Sequence, residues 1–137
     1  MPSKTQTSNP DKESAATPSP GKLEPVAKFR LRVSVGEAIA IGPGKVALLE
    51  AIAETGSITA AAKRLGMSYR RAWMLLDDLN RTLEKPAVDS AKGGPHGGGS
   101  FITDTGRQVI ELYRRIEVVA AQACEADLTR LVKLIAR

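Results

Sequence analysis

Residues Gly56–Leu79 read GSITAAAKRLGMSYRRAWMLLDDL, and their pattern decides the fold. Ile58, Ala61, Ala62 and Leu65 recur at helical spacing and give one apolar face. Ser57 stands just before that run, where its hydroxyl caps free N–H groups. Gly66 ends the helix, since a residue without Cβ takes the left-handed conformation of a helix end at little cost. Ser68 then caps a second helix whose buried side is Ala72, Leu75, Leu76 and Leu79. Ala62 falls where the two helices cross, and its small side chain lets them approach. Two short helices joined by a tight turn make a helix-turn-helix, which presents the first residues of its second helix to base edges. Those residues are Tyr69, Arg70 and Arg71. From Ser57 to Met74 the charged residues are Lys63, Arg64, Arg70 and Arg71, with no acid among them.

Upstream, residues 1–28 are rich in Pro, Ser, Thr, Lys and Glu and poor in large apolar side chains. Such a segment buries too little surface to offset the entropy of ordering, so a disordered tail is expected. Phe29, Leu31, Val33 and Val35 alternate with Arg30, Arg32 and Ser34, the period of a half-buried strand. Ala38–Ile41 continues it or adds a short strand. Gly42-Pro43-Gly44 breaks the chain, and a helix from about Lys45 to Glu54 follows, with Val46, Leu49, Ile52 and Ala53 facing the core.

Downstream, Lys85-Pro86 stops the second helix of the motif, because the residue before proline disfavours helical geometry. Ala87–Asp89 and Ser100–Thr103 read as two short strands. Between them lies SAKGGPHGGG, whose glycines let a backbone come close to another molecule. Strand, glycine loop, strand after a reading helix is the layout of a wing, with Lys92 and His96 as its phosphate-facing side chains. Thr103 caps a last helix expected over about 104–135. Its apolar residues cover more than one stripe, so one side packs on its own domain while the other is free for a partner. Leu112, Ile116, Val119, Ala123, Leu128 and Leu131 are the expected dimer contacts, and pairing would present two reading helices to a two-fold DNA site. The expected fold is mainly α with a small β-wing: a winged helix-turn-helix over residues 29–137 ending in a long dimerisation helix.

At 137 residues the chain suits one domain and a tail. The formal charge of +5 suits a polyanion but also occurs in ordinary proteins, so its concentration on the reading helix carries the argument. Cys124 is the one cysteine and His96 the one histidine, which rules out an internal disulfide and a zinc site of the Cys/His type. Neither a signal peptide nor an apolar spanning segment is apparent, so a cytoplasmic setting without membrane contact is expected. Asp77-Asp78 and Glu84 form no nucleophile–base set, and the glycine loop does not open a helix in the phosphate-binding manner. An enzyme is not expected, nor is a cofactor.

Each candidate DNA contact also has an ordinary reading. Arg70 and Arg71 read guanine, hold phosphates, or lie on a solvated face. Tyr69 touches a base or a phosphate. Ser57 and Thr59 open the first helix of the motif, where they bind a phosphate or only cap, and Ser68 at the start of the second is also a candidate DNA contact. Lys63 and Arg64 flank the DNA backbone or are merely solvated. Trp73 is spaced with Tyr69 and Leu76 as a core residue rather than a stacking platform. Cys124 reads as a small buried hydrophobe.

The run GSITAAAKRLGMSYRRAWMLLDDLN, the segment AKGGPHGGGSFIT and the following TGRQVIELY resemble the N-terminal winged-helix domain of ModE-type molybdate-responsive regulators. The most specific parts are Ser68-Tyr69-Arg70-Arg71-Ala72-Trp73 and the glycine loop ending in Phe101-Ile102-Thr103; the likeness spans about Phe29 to Ala120. It implies a dimeric, sequence-specific regulator bound to double-stranded DNA. Members of that family carry C-terminal oxyanion-binding domains, and this sequence ends at Arg137 without them. A stand-alone DNA-binding form is therefore expected, with regulation supplied by abundance, by a separate effector-sensing partner, or not at all. The competing expectation is a winged-helix module that binds another protein and meets DNA incidentally.

Overall fold

A computed structural model describes residues 23–90 and 99–135. Phe29–Ala123 form one unit, and the described residues 23–28 and 124–135 belong to another. In the first unit, strands β1 (Val33–Val35) and β2 (Ala38–Ile41) make an antiparallel hairpin, with Val35 opposite Ala38 and an irregularity between Val33 and Ser34. The expected half-buried strand from Phe29 is thus only three residues long, and all three are exposed. A hairpin with no layer packed over β1 gives its alternating side chains no covered face.

Helix α1 (Pro43–Thr55) opens with proline in its first turn, where the missing N–H has no helical partner to lose. It buries Val46, Leu48, Leu49, Ala51 and Ile52. Ala53, expected in the core, faces solvent. It lies on the side of buried Val46, seven residues earlier, but in the last turn of the helix, past the packed part of that side. Helices α2 (Ile58–Arg64) and α3 (Tyr69–Thr82) follow, joined by a turn in which Gly66 has a φ of 70°. Ala61, Ala62 and Ala72 are buried at the helix crossings, so short side chains permit close approach. Leu65, expected on the inner face, is the exposed C-cap of α2, where the helical period ends.

Strands β3 (Val88–Ser90) and β4 (Ser100–Ile102) pair antiparallel, with Val88 opposite Ile102. Ala87, Val88 and Ile102 join the core formed by α1, α2 and α3. Helix α4 (Asp104–Ala123) then packs on α1. Thr103 Oγ1 accepts from the Gly106 N–H at 3.1 Å, the cap expected there. Tyr113 is buried and donates its hydroxyl to the Leu31 carbonyl at 2.9 Å, tying α4 to the segment before β1. Arg114 donates two hydrogen bonds to Glu50 on α1, at 2.6 and 2.8 Å, and a third to Glu117 at 2.8 Å. Those bonds hold the Glu50 carboxyl below its ordinary range, against the opposing effect of partial burial.

The expected continuous last helix is interrupted. Cys124 leaves helical geometry, and α5 (Glu125–Lys133) restarts with Glu125 and Asp127 in its first turn, where acids favour a helix start. Cys124 is half-buried rather than buried. It belongs to the second unit, whose described residues are the irregular 23–28 and the segment 124–135. Most of the expected tail, residues 1–22, lies outside the described residues.

Candidate nucleic-acid interface

The turn of the motif is set by two serines. Ser57 Oγ accepts from the Ala60 N–H and Ser68 Oγ accepts from the Arg71 N–H, both at 3.0 Å. Each hydroxyl is therefore engaged as a helix cap, while Thr59 near the first cap is exposed. Beyond Ser68, the side chains of Tyr69, Arg70 and Arg71 all stand in solvent. Among the described residues, Lys63, Arg70 and Arg71 form no ion pair, whereas Arg64 is paired with Glu54. The outer surface of the motif thus carries three cations that no carboxylate holds.

Helical geometry sorts the side chains of α3 into four sides. Ala72, Leu76 and Leu79 point into the core. Arg70, Met74, Asp77 and Arg81 point outward on the opposite side, with Arg81 on Asp77 and Asp78 at 3.3 and 3.2 Å. Tyr69 and Trp73 lie one turn apart on the flank towards β3. Arg71, Leu75, Asp78 and Thr82 form the other flank, facing the β1–β2 hairpin and the start of α1. Trp73 was expected in the core but is 51% exposed. Its spacing with Leu76 is helical, yet it sits about 100° round from Ala72, beyond the edge of the buried arc.

The strands that frame the glycine loop are fastened beside the motif. The Ser100 N–H donates to the Gly56 carbonyl at 3.1 Å, next to the start of α2. Asn80 on α3 accepts from the Ala87 N–H at 2.8 Å and donates to the Val88 carbonyl at 3.2 Å. Both ends of the loop therefore start from the body of the reading motif. Lys92 and His96, with the rest of 91–98, lie outside the described residues. The Asn80 bridge was not foreseen, since an asparagine within a helix gives no sequence signal of the backbone it will meet.

On α4 the expected division into two sides is present. Val109, Ile110 and Tyr113 turn inward, while Leu112, Ile116 and Val119 are 56, 47 and 53% exposed, in line with exposed Ala123. In the second unit Leu131 is exposed and Leu128 half-buried.

Sequence comparison places the motif among known proteins. Residues 44–107 match the bacterial regulatory helix-turn-helix protein family of the LysR kind. The chain is 37% identical over 106 residues to the molybdenum transport protein ModE of Azotobacter vinelandii, covering 77% of this chain and 38% of that protein. It is 44% identical over 82 residues to the molybdenum-pterin-binding protein MopB of Rhodobacter capsulatus, covering 60% and 30%. Against the DNA-binding transcriptional dual regulator ModE of Escherichia coli K12 the identity is 33% over 97 residues, covering 71% and 37%. The chain spans less than two fifths of the length of each of these relatives.

Proposed function

We propose, from the match of residues 44–107 to the LysR-family helix-turn-helix and the likeness to ModE proteins, that the protein is a sequence-specific regulator that binds double-stranded DNA. The observation that carries the proposal is the acid-free start of α3, where Tyr69, Arg70 and Arg71 stand exposed beyond a capped turn. Arg70 points straight away from the core and is the base reader, its guanidinium suited to two hydrogen bonds with guanine. Tyr69 and Arg71 lie to either side of it. Ser57, Thr59, Lys63 and Arg64 take phosphates, with Arg64 exchanging Glu54 for the DNA. Lys92 and His96 in the glycine loop take the strand beyond the wing.

Two copies pair through Leu112, Ile116, Val119 and Ala123 of the first unit, and Leu128 and Leu131 of the second are also dimer contacts. Fully burying a Leu or Ile contributes about 1.5–3 kcal/mol, and with roughly half of each side chain still exposed the gain here is about half of that per residue. The names of the relatives point to genes for molybdenum handling as its targets.

The test is titration of labelled duplexes with the full chain over a range of salt. Binding weakens as salt rises, and Arg70→Ala costs about 1–3 kcal/mol on the preferred duplex while sparing random DNA. Equal losses on preferred and random duplexes would remove Arg70 as the base reader.

A further inference from the structure

An open groove of about 950 Å³ runs along the Arg71 flank of α3, walled by the β1–β2 hairpin and the start of α1. We propose that the mouth of this groove seats the sugar-phosphate strand on the side of the major groove opposite the wing, with Arg30 and Arg32 as its phosphate ligands. The inference rests on the DNA-binding reading above and adds a contact surface outside the helix-turn-helix and the wing.

Charge carries it first. Arg30, Arg32 and Arg71 line the groove and form no ion pair among the described residues. Of the two acids on its walls, Asp78 is already engaged by Arg81 at 3.2 Å, which leaves Glu37. Lys45 adds to the same wall. It is only 8% exposed, its ammonium is held by the Ile39 and Ala40 carbonyls, at 2.7 and 3.4 Å, and it forms no ion pair among the described residues. A buried positive charge without a counter-ion projects its field into the adjoining cleft. The start of α1 has the same sign, because Gly42 supplies no side-chain cap for the free N–H groups that follow.

Geometry supplies the second argument. A helix with its side chains is about 10–12 Å across, and the major groove of DNA is about 12 Å wide. An inserted α3 therefore meets a phosphate strand on each flank. The wing belongs to the flank of Tyr69 and Trp73, near Val88 and Ser90. Arg71 faces the other way, into this groove. Arg32 Cγ would stand 3.6 Å from a Cβ built on Gly42, so the Arg32 stem lies beside the residue that precedes α1.

The experiment compares the unaltered chain, Arg70→Ala, the double variant R30A/R32A and its charge-retaining counterpart R30K/R32K, on preferred and random duplexes over a salt series. R30A/R32A is expected to bind both duplexes roughly tenfold more weakly, with the slope of log K against log salt smaller by about 1.8 for two lost phosphate contacts. R30K/R32K is expected to restore the slope. An unchanged slope in R30A/R32A, with Arg70→Ala still altering sequence preference, would overturn the groove proposal and leave the DNA reading intact. Weakened binding that R30K/R32K fails to restore, together with a lowered melting temperature, would assign the arginines a purely structural role. No binding of any duplex by the unaltered, folded chain would overturn both.

Discussion

Gly106→Ala tests how tightly α4 is docked against the base of the wing. A Cβ built on Gly106 would stand 2.3 Å from the Ala87 carbonyl oxygen and 2.7 Å from Ile102 Cγ2. Ordinary contact begins near 3.4 Å, so the methyl group needs about 1 Å of movement from a backbone atom. That carbonyl is fixed, for it accepts from the Thr103 N–H at 3.0 Å, and the Ala87 N–H is itself held by Asn80 at 2.8 Å. Overpacking of this kind costs about 1–3 kcal/mol or more, whereas alanine in place of glycine returns up to about 1 kcal/mol in a helix. Because the neighbour here is backbone, the upper part of the range applies, and a net loss of about 2 kcal/mol follows. For a domain of this size that lowers the melting temperature by about 8–16 °C. Thermal unfolding followed by circular dichroism measures it. A melting temperature equal to or above that of the unaltered protein would refute the close packing of α4 on Ala87.

Three other outcomes follow from the same contacts. Asn80→Ala leaves the Ala87 N–H and the Val88 carbonyl without their side-chain partner and costs about 1–3 kcal/mol in a denaturant titration. Glu50, held below its ordinary range by Arg114, favours the folded state above its ordinary value of 4.5 and loses that contribution as pH falls through its lower folded value. Glu50→Gln should therefore flatten the acid limb of the stability profile, and an unchanged limb would mean that the Arg114 bonds do not govern it. The double variant L112D/I116D should convert a dimer to a monomer in sedimentation at unchanged helix content, and an unchanged mass would exclude that stripe as the interface.

The motif itself was legible because local chemistry determines it. Ser57 and Ser68 cap the helices their sequence positions announced, and Gly66 takes the positive φ that its place in the turn requires. The strands around the glycine loop appeared within a residue of their expected bounds for the same reason, lying between Pro86 and Thr103. What the sequence did not reveal depends on neighbours distant in the chain. Trp73 is apolar and helically spaced, but the width of the buried arc is fixed by how α2 and β3 pack, and it falls outside. Lys45 was expected only as the approximate start of a helix, yet it is buried and the Ile39 and Ala40 carbonyls of the hairpin take its ammonium. Tyr113 finds its partner at Leu31, 82 residues earlier, and Arg30 and Arg32 become groove residues only once the hairpin lies beside α3. The break at Cys124 has no proline or glycine to mark it.

The central claim is sequence-specific DNA binding through the start of α3, and selection of bound fragments from genomic DNA tests it most directly. The folded full chain should enrich a palindromic site, and Arg70→Ala should change the bases enriched at the positions it reads. Recovery of fragments no different from random DNA, by protein shown to be folded, would contradict the claim and make the domain a protein-binding module.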